Sequence, residues 1–292
     1  MFKAFSGHRF TVDGAEIFGR VGGTGPALLL LHGHPQNHVM WHRVAEPLAQ
    51  RFTVVALDLR GYGDSSIPAS DAQHAPYSKR VMARDMLAVM SQLGHAQFDV
   101  AAHDRGARVA HRLAADHPGS VWRLMLLDIA PTLAMYEGAT QEFARAYWHW
   151  FFLMQPAPLP ERLIARDPVF YLRSVMGSRH AGLAAFDPRA LAEYERCIAR
   201  AGMVAAICED YRASCGIDLE HDRADRDAGS LIQMPLRVLW GAHGTVARCF
   251  DVVALWRERA LRVSGRPLDC GHYIAEERPA ELLGEMLEFF KE

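Results

Sequence analysis

Short, largely apolar runs punctuate this chain at residues 27–31, 53–57, 98–102, 124–127 and 236–240. Runs of that length without polar alternation read as parallel strands covered on both faces. Two earlier segments, 9–12 and 16–21, flank Asp13-Gly14, a strong hairpin turn signal. A weaker eighth strand is read at 261–263. Helical spacing separates the runs: Val81, Met82, Met86, Leu87, Val89, Met90 and Leu93 line one face of a helix over 79–93. Further helices are predicted at 105–117, closed by Pro118-Gly119, and at 279–290, where Pro279 suits a first turn. Strand alternating with helix predicts an α/β chain built on one mostly parallel eight-stranded sheet.

The pattern changes at Pro131. From there to Gln233 aromatic residues and helix formers dominate and strand signals are few. We read this stretch as a helical cap inserted after the sixth strand, so that residues 1–130 and 234–292 form the core and 131–233 the cap. The charged run 220–227 is read as a solvated face where the cap ends. Tyr147, Trp148 and Phe151 are expected to be core residues at helical spacing.

Composition narrows the class. The chain has 292 residues, half of them hydrophobic, enough for one large core. A formal net charge of -2 gives no polybasic surface, so neither nucleic acid nor membrane is expected as a partner. Five scattered cysteines without a C-x-x-C pair argue for reduced thiols in the cytoplasm and against a disulfide framework or zinc site. Met1-Phe2-Lys3 opens no signal-like apolar region, and 27–31 is too short to cross a bilayer.

The chemistry centres on His103-Asp104-Arg105-Gly106, where the fifth strand stops and a helix begins. A strand, sharp turn and helix of this kind form a nucleophile elbow, here with aspartate in the usual serine position. A carboxylate at that point can displace a leaving group from saturated carbon and form an ester. Hydrolysing that ester needs a base oriented by a second carboxylate. His272, in the loop before the last helix, and Asp128, after the sixth strand, supply them in the chain order nucleophile, acid, histidine. The loop after the seventh strand, Gly241-Ala242-His243-Gly244-Thr245, offers no carboxylate. Asp251 comes too late and is read as helical, while Asp58 and Asp64 are read as turn-shaping residues.

Arg105 and Arg108 stand i, i+3 at the start of the helix that follows Asp104 and share one face. Guanidinium forks match a carboxylate, and two cations here would keep Asp104 ionised. The alternative for either arginine is a structural ion pair with a cap carboxylate. If both are functional, they hold a substrate carboxylate while its α-carbon faces Asp104, which describes a small 2-substituted acid. In the cap, His149, Trp150 and Tyr211 either join the aromatic core or offer N–H and O–H donors to a departing halide. The residues alone leave that open.

Taken together, His32-Gly33-x-Pro35-Gln36-Asn37, Asp58-Leu59-Arg60-Gly61-Tyr62-Gly63, His103-Asp104-Arg105-Gly106, Tyr147-Trp148-His149-Trp150 and Asp210-Tyr211-Arg212 resemble the haloacetate dehalogenases, including their fluoroacetate-active branch. The resemblance spans nearly the whole chain and implies the α/β-hydrolase fold with an inserted cap. It implies Asp104 as nucleophile, Asp128 and His272 as the hydrolytic pair, and Arg105 and Arg108 as carboxylate clamp. His149, Trp150 and Tyr211 would be halide donors, and the backbone N–H groups of His34 and Arg105 an oxyanion hole. His34 departs from the phenylalanine usual in the family, and its side chain could alter the pocket's packing or charge; Cys270 replaces a more usual glycine. The reaction implied is hydrolysis of a haloacetate to glycolate and halide through an aspartyl ester, with no cofactor and no metal. The partner is a small haloacid, and the cap helices could support a homodimer. An epoxide hydrolase is the rival: it uses the same triad but needs cap tyrosines, Tyr211 with Tyr136, Tyr147, Tyr171 or Tyr194, and has little use for two buried arginines.

Overall fold

The structure, a computed structural model, describes residues 1–291. Its centre is a single eight-stranded sheet in the order β1-β2-β4-β3-β5-β6-β7-β8. The strands are β1 (Ser6–Val12), β2 (Ala15–Gly22), β3 (Ala27–Leu31), β4 (Thr53–Leu57), β5 (Phe98–His103), β6 (Val121–Leu127), β7 (Leu236–Gly241) and β8 (Val263–Leu268). The hairpin expected at Asp13-Gly14 pairs β1 with β2, with Val12 opposite Ala15, and β2 runs antiparallel to β4. All remaining pairings are parallel. Every residue of β3 and β5 is buried, Asp99 and His103 of β5 included, as expected of central strands whose two faces are both covered.

The last strand is the one the hydrophobic pattern misplaces. It begins at Val263, where the expected run ends, and reads Val-Ser-Gly-Arg-Pro-Leu with four exposed positions in succession. It is an edge strand, where polar residues and Pro267 are tolerated because one side needs no ladder bonds.

Successive helices fill the chain between β6 and β7, from Thr132–Glu137 to Ile217–Asp227. The charged run 220–227 lies in the last of these and is not simply solvated. Asp222 and Asp225 turn inward and bind Arg112 at 2.7 and 2.6 Å, tying the insertion to the helix after β5. Trp148 also departs from expectation: it is 41% exposed, whereas Tyr147 is buried and Phe151 half-buried. No helix among the described residues is long and apolar enough to cross a membrane.

The topology decides where chemistry can occur. β3 has β4 on one side and β5 on the other, so the chain reverses its direction of winding there. Loops leaving the carboxyl ends of strands at such a switch point open a crevice. His32-Gly33-His34 leaves β3 and Asp104 follows β5 at that place, while Asp128 follows β6 and His272 lies beyond β8.

Candidate active site

Asp104 begins the helix Asp104–Asp116 and holds a φ of 43°, a left-handed conformation uncommon outside glycine. Residues kept in such regions cost of order 1–3 kcal/mol and persist where packing enforces them. The enforcement is visible. Gly106 N–H donates to His32 O at 2.8 Å, and a Cβ on Gly106 would lie 2.4 Å from that oxygen. A Cβ on Gly33 would lie 2.5 Å from the Cβ of Asp104. Both glycines therefore let the β3 loop close against the turn, and His34 N–H reaches Asp104 Oδ2 at 3.1 Å.

Burial by itself would raise the pKa of Asp104. The charges of His272, His103, Arg108 and Arg105 outweigh it and hold the carboxyl well below the usual carboxylate range. An ionised, buried oxygen pair thus stands at the switch point. His272 Nδ1 lies 2.5 Å from Asp128 Oδ2, and Asp128 Oδ1 accepts the Gly241 N–H at 2.9 Å. Asp128 itself has a φ of 52°, which turns its side chain back across the sheet edge. His103 supports the far side, with its Nε2 2.9 Å from the carbonyl of His272.

The remaining acids fall where the sequence reading placed them, or close by. Asp58 accepts the backbone N–H groups of His38 and Asp64 at 2.7 and 2.8 Å and so holds its turn together. Asp64 pairs with Arg196 on the surface. Asp251 caps the helix Val252–Arg257, accepting from Ala254 N–H at 3.0 Å, instead of lying within it.

The two arginines differ, and the ion-pair alternative applies to one of them. Arg105 is the one matched to a carboxylate: its Nε and Nη2 donate to Asp210 at 2.8 and 2.9 Å. Arg108 has no carboxylate within ion-pair distance among the described residues. It donates from Nη1 to Thr132 Oγ1 at 2.8 Å and from Nη2 to Met135 Sδ at 3.3 Å. One nitrogen of each remains buried and unpartnered, Nη1 of Arg105 and Nε of Arg108. Sequence reasoning assigned no role to Asp210, nor to Lys79 and Tyr62, which also bind it. The only signal was the company Asp210 keeps in Asp210-Tyr211-Arg212.

Aromatic residues of the helices between β6 and β7 pack against this pair. Arg105 lies 4.2 Å from the Tyr211 ring centre and Arg108 4.6 Å from that of Trp150. Tyr211 also meets His149 and Trp150, with ring centres 6.1 and 6.3 Å apart. Trp150 Nε1 and the Tyr211 hydroxyl are buried without acceptors. Burial, followed by the charge of Arg179, drives the His149 pKa well below its ordinary value, so its ring is neutral and carries one N–H. His34 brings no charge into the pocket either. Burial pulls its pKa down to about 3, and its Nε2 lies 3.1 Å from the Tyr171 hydroxyl. The arrangement gathers an ionised acid, a histidine–carboxylate pair and a set of buried donors around one small space.

An elbow of this form at the switch point of an α/β sheet defines a hydrolase of the α/β-hydrolase fold, and the family model for that fold matches residues 26–279. The chain belongs to this family. It is 43% identical to a fluoroacetate dehalogenase from Burkholderia sp, over all of this chain and 96% of that protein. A soluble epoxide hydrolase from Corynebacterium sp. (strain C12) is 31% identical over 97% of this chain and 96% of its own length. A crystal structure of an α/β-hydrolase chain from Nostoc sp PCC 7120 superposes with a TM-score of 0.96 at 54% identity, covering 100% of this chain and 99% of that one.

Proposed function

We propose that the protein hydrolyses haloacetates, fluoroacetate or chloroacetate, to glycolate and halide. Asp104 attacks the α-carbon in line with the carbon–halogen bond; that bond breaks, halide leaves, and a carboxymethyl ester of Asp104 forms. Water deprotonated by His272 then attacks the Asp104 carbonyl carbon, and the negative charge on its oxygen is met by the N–H groups of His34 and Arg105. Collapse of that intermediate releases glycolate and restores Asp104, while Asp128 balances the charge on His272. In this reading residues 131–233 act as the cap that excludes water.

The observation that carries the reading is the group of donors left without acceptors: Arg105 Nη1, Arg108 Nε, Trp150 Nε1 and Tyr211 Oη. An unpaired buried donor costs about 1–3 kcal/mol, so several beside one ionised aspartate point to an anionic ligand with a second electronegative group. A carboxylate answers the arginines, and a departing halide answers Trp150, Tyr211 and His149. Fluoride leaves poorly unless strongly hydrogen-bonded. Each such bond to a charged group supplies about 1.5–3 kcal/mol.

A second reading, epoxide hydrolysis, is favoured by the Tyr211 hydroxyl and by the full-length epoxide hydrolase relative. Two of its candidate second tyrosines are occupied elsewhere: Tyr171 bonds His34, and Tyr194 donates to Glu276 at 2.7 Å. Supplying fluoroacetate, chloroacetate and a simple epoxide side by side, with halide and diol measured, separates the readings. Halide release that disappears in Asp104→Asn is expected. Diol formation without halide release would replace the first reading by the second.

A further inference from the structure

A cavity of about 240 Å³ opens beside the site and is walled by three arginines, three histidines and no carboxylate. At its outer end stand the exposed Arg145, Arg248 and His243; at its inner end is the buried His272. Part of this charge is already spoken for, because Arg248 pairs with Glu142 at 3.1 Å and His243 with Asp269 at 2.7 Å. Arg179 differs. It follows the helix Pro168–Gly177, its guanidinium lies 4.5 Å from the Tyr147 ring centre, and its buried Nε has no partner. Tyr147 in turn meets His272 edge-on at 6.3 Å. The tyrosine therefore holds a cation that has no carboxylate partner among the described residues over the passage, one aromatic ring away from the candidate base.

We propose that Arg179 is a staging site for small anions, receiving the incoming substrate carboxylate and passing the departing halide and glycolate outward; this rests on the haloacetate reading above. The physical need is clear. Arg105 and Arg108 lie too deep to reach solvent, so a carboxylate must shed water before meeting either, and an ion stripped of water without a partner pays a large desolvation penalty. A cation midway divides that cost. It also concentrates anions at the mouth, an effect that salt screens over about 8–10 Å.

Two measurements test the site. For Arg179→Met, kcat/KM for chloroacetate at low ionic strength should fall about tenfold while kcat stays within about twofold, and the deficit should shrink as salt is added. Arg179→Lys should restore most of the loss, since charge and not fork geometry is what staging needs. A fall in kcat with KM unchanged would assign Arg179 to the chemical step and overturn the proposal. Independently of turnover, Trp148 lines the same cavity, so iodide should quench its emission in the wild type. The Trp148→Phe difference isolates that component. Arg179→Met should weaken quenching by iodide and leave quenching by neutral acrylamide unchanged. Equal iodide quenching in both proteins would remove the anion site, whatever the enzyme turns over. Arg179-dependent quenching in a protein that releases no halide would instead sink the haloacetate reading and leave the site standing.

Discussion

Arg105 and Asp210 meet fork to fork with both side chains fully buried, although 105 residues separate them in the chain. The pair joins the helix after β5 to the helices between β6 and β7 and leaves one buried nitrogen of Arg105, Nη1, unpaired. Burial would raise the Asp210 pKa, but Arg105 and Lys79 hold it well below the carboxylate range, so the acid is ionised. Removing one partner of such a pair strands the other charge, at about 3–5 kcal/mol. Asp210→Ala should therefore lower the unfolding free energy measured by urea titration by that amount, and a loss below about 1 kcal/mol would show that the pair is not needed for folding.

Arg108 should behave differently, since no carboxylate depends on it for pairing. Arg108→Leu is expected to raise KM for haloacetates by at least about tenfold, the loss of one charge-assisted contact. It also removes one of the charges that depress Asp104. The Asp104 pKa then rises, and the acid limb of kcat/KM moves to higher pH. An unchanged KM and unchanged acid limb would leave Arg108 a purely structural role.

His272→Ala separates the two chemical steps. Displacement by Asp104 needs no base, so about one equivalent of halide per enzyme should appear and turnover should stop. Mass spectrometry should then find one carboxymethyl group on the peptide containing Asp104. Continued turnover, or label elsewhere, would contradict the ester route.

Trp150 Nε1 is a buried donor without an acceptor. Trp150→Phe should slow fluoride release by about 10- to 100-fold, the worth of one hydrogen bond to a charged group, and chloride release markedly less. Equal losses on fluoroacetate and chloroacetate would show that the indole serves packing alone.

Glu276 carries a pH dependence outside the chemistry. Burial lifts its pKa to about 7 against the hydrogen bond from Tyr194 and the charge of Arg43. Between pH 4.5 and 7 the folded protein keeps a proton that the unfolded chain has lost, so stability falls as pH rises through this window. Glu276→Gln should flatten the stability profile from pH 5 to 8 and stabilise the protein at pH 8 by about 1–3 kcal/mol. A parallel profile in the variant would place the titration elsewhere.

What could be read from the chain depended on the range of the force involved. β3 and β4 were legible to the residue, because an unbroken apolar run is a local property that survives folding. β8 was not, because an exposed edge strand owes its place to pairing with β7 instead of to its own hydrophobicity. Trp148 kept helical spacing with its neighbours and still ended at the surface, since periodicity says which residues share a face but not which face is covered.

By itself the sequence determined the alternation of strand and helix, the elbow that carries Asp104, and the order in which acid and histidine follow. Those are features of adjacent residues, set by backbone sterics and local apolar patterning. Only tertiary structure decided that Asp210 binds Arg105 and leaves Arg108 unmatched, that Asp222 and Asp225 turn inward to Arg112, and that Arg179 stands above Tyr147 beside His272. Charge pairing falls off with distance in space and takes no account of distance along the chain. Which carboxylate answers which arginine is therefore unwritten until the insertion has closed over the sheet.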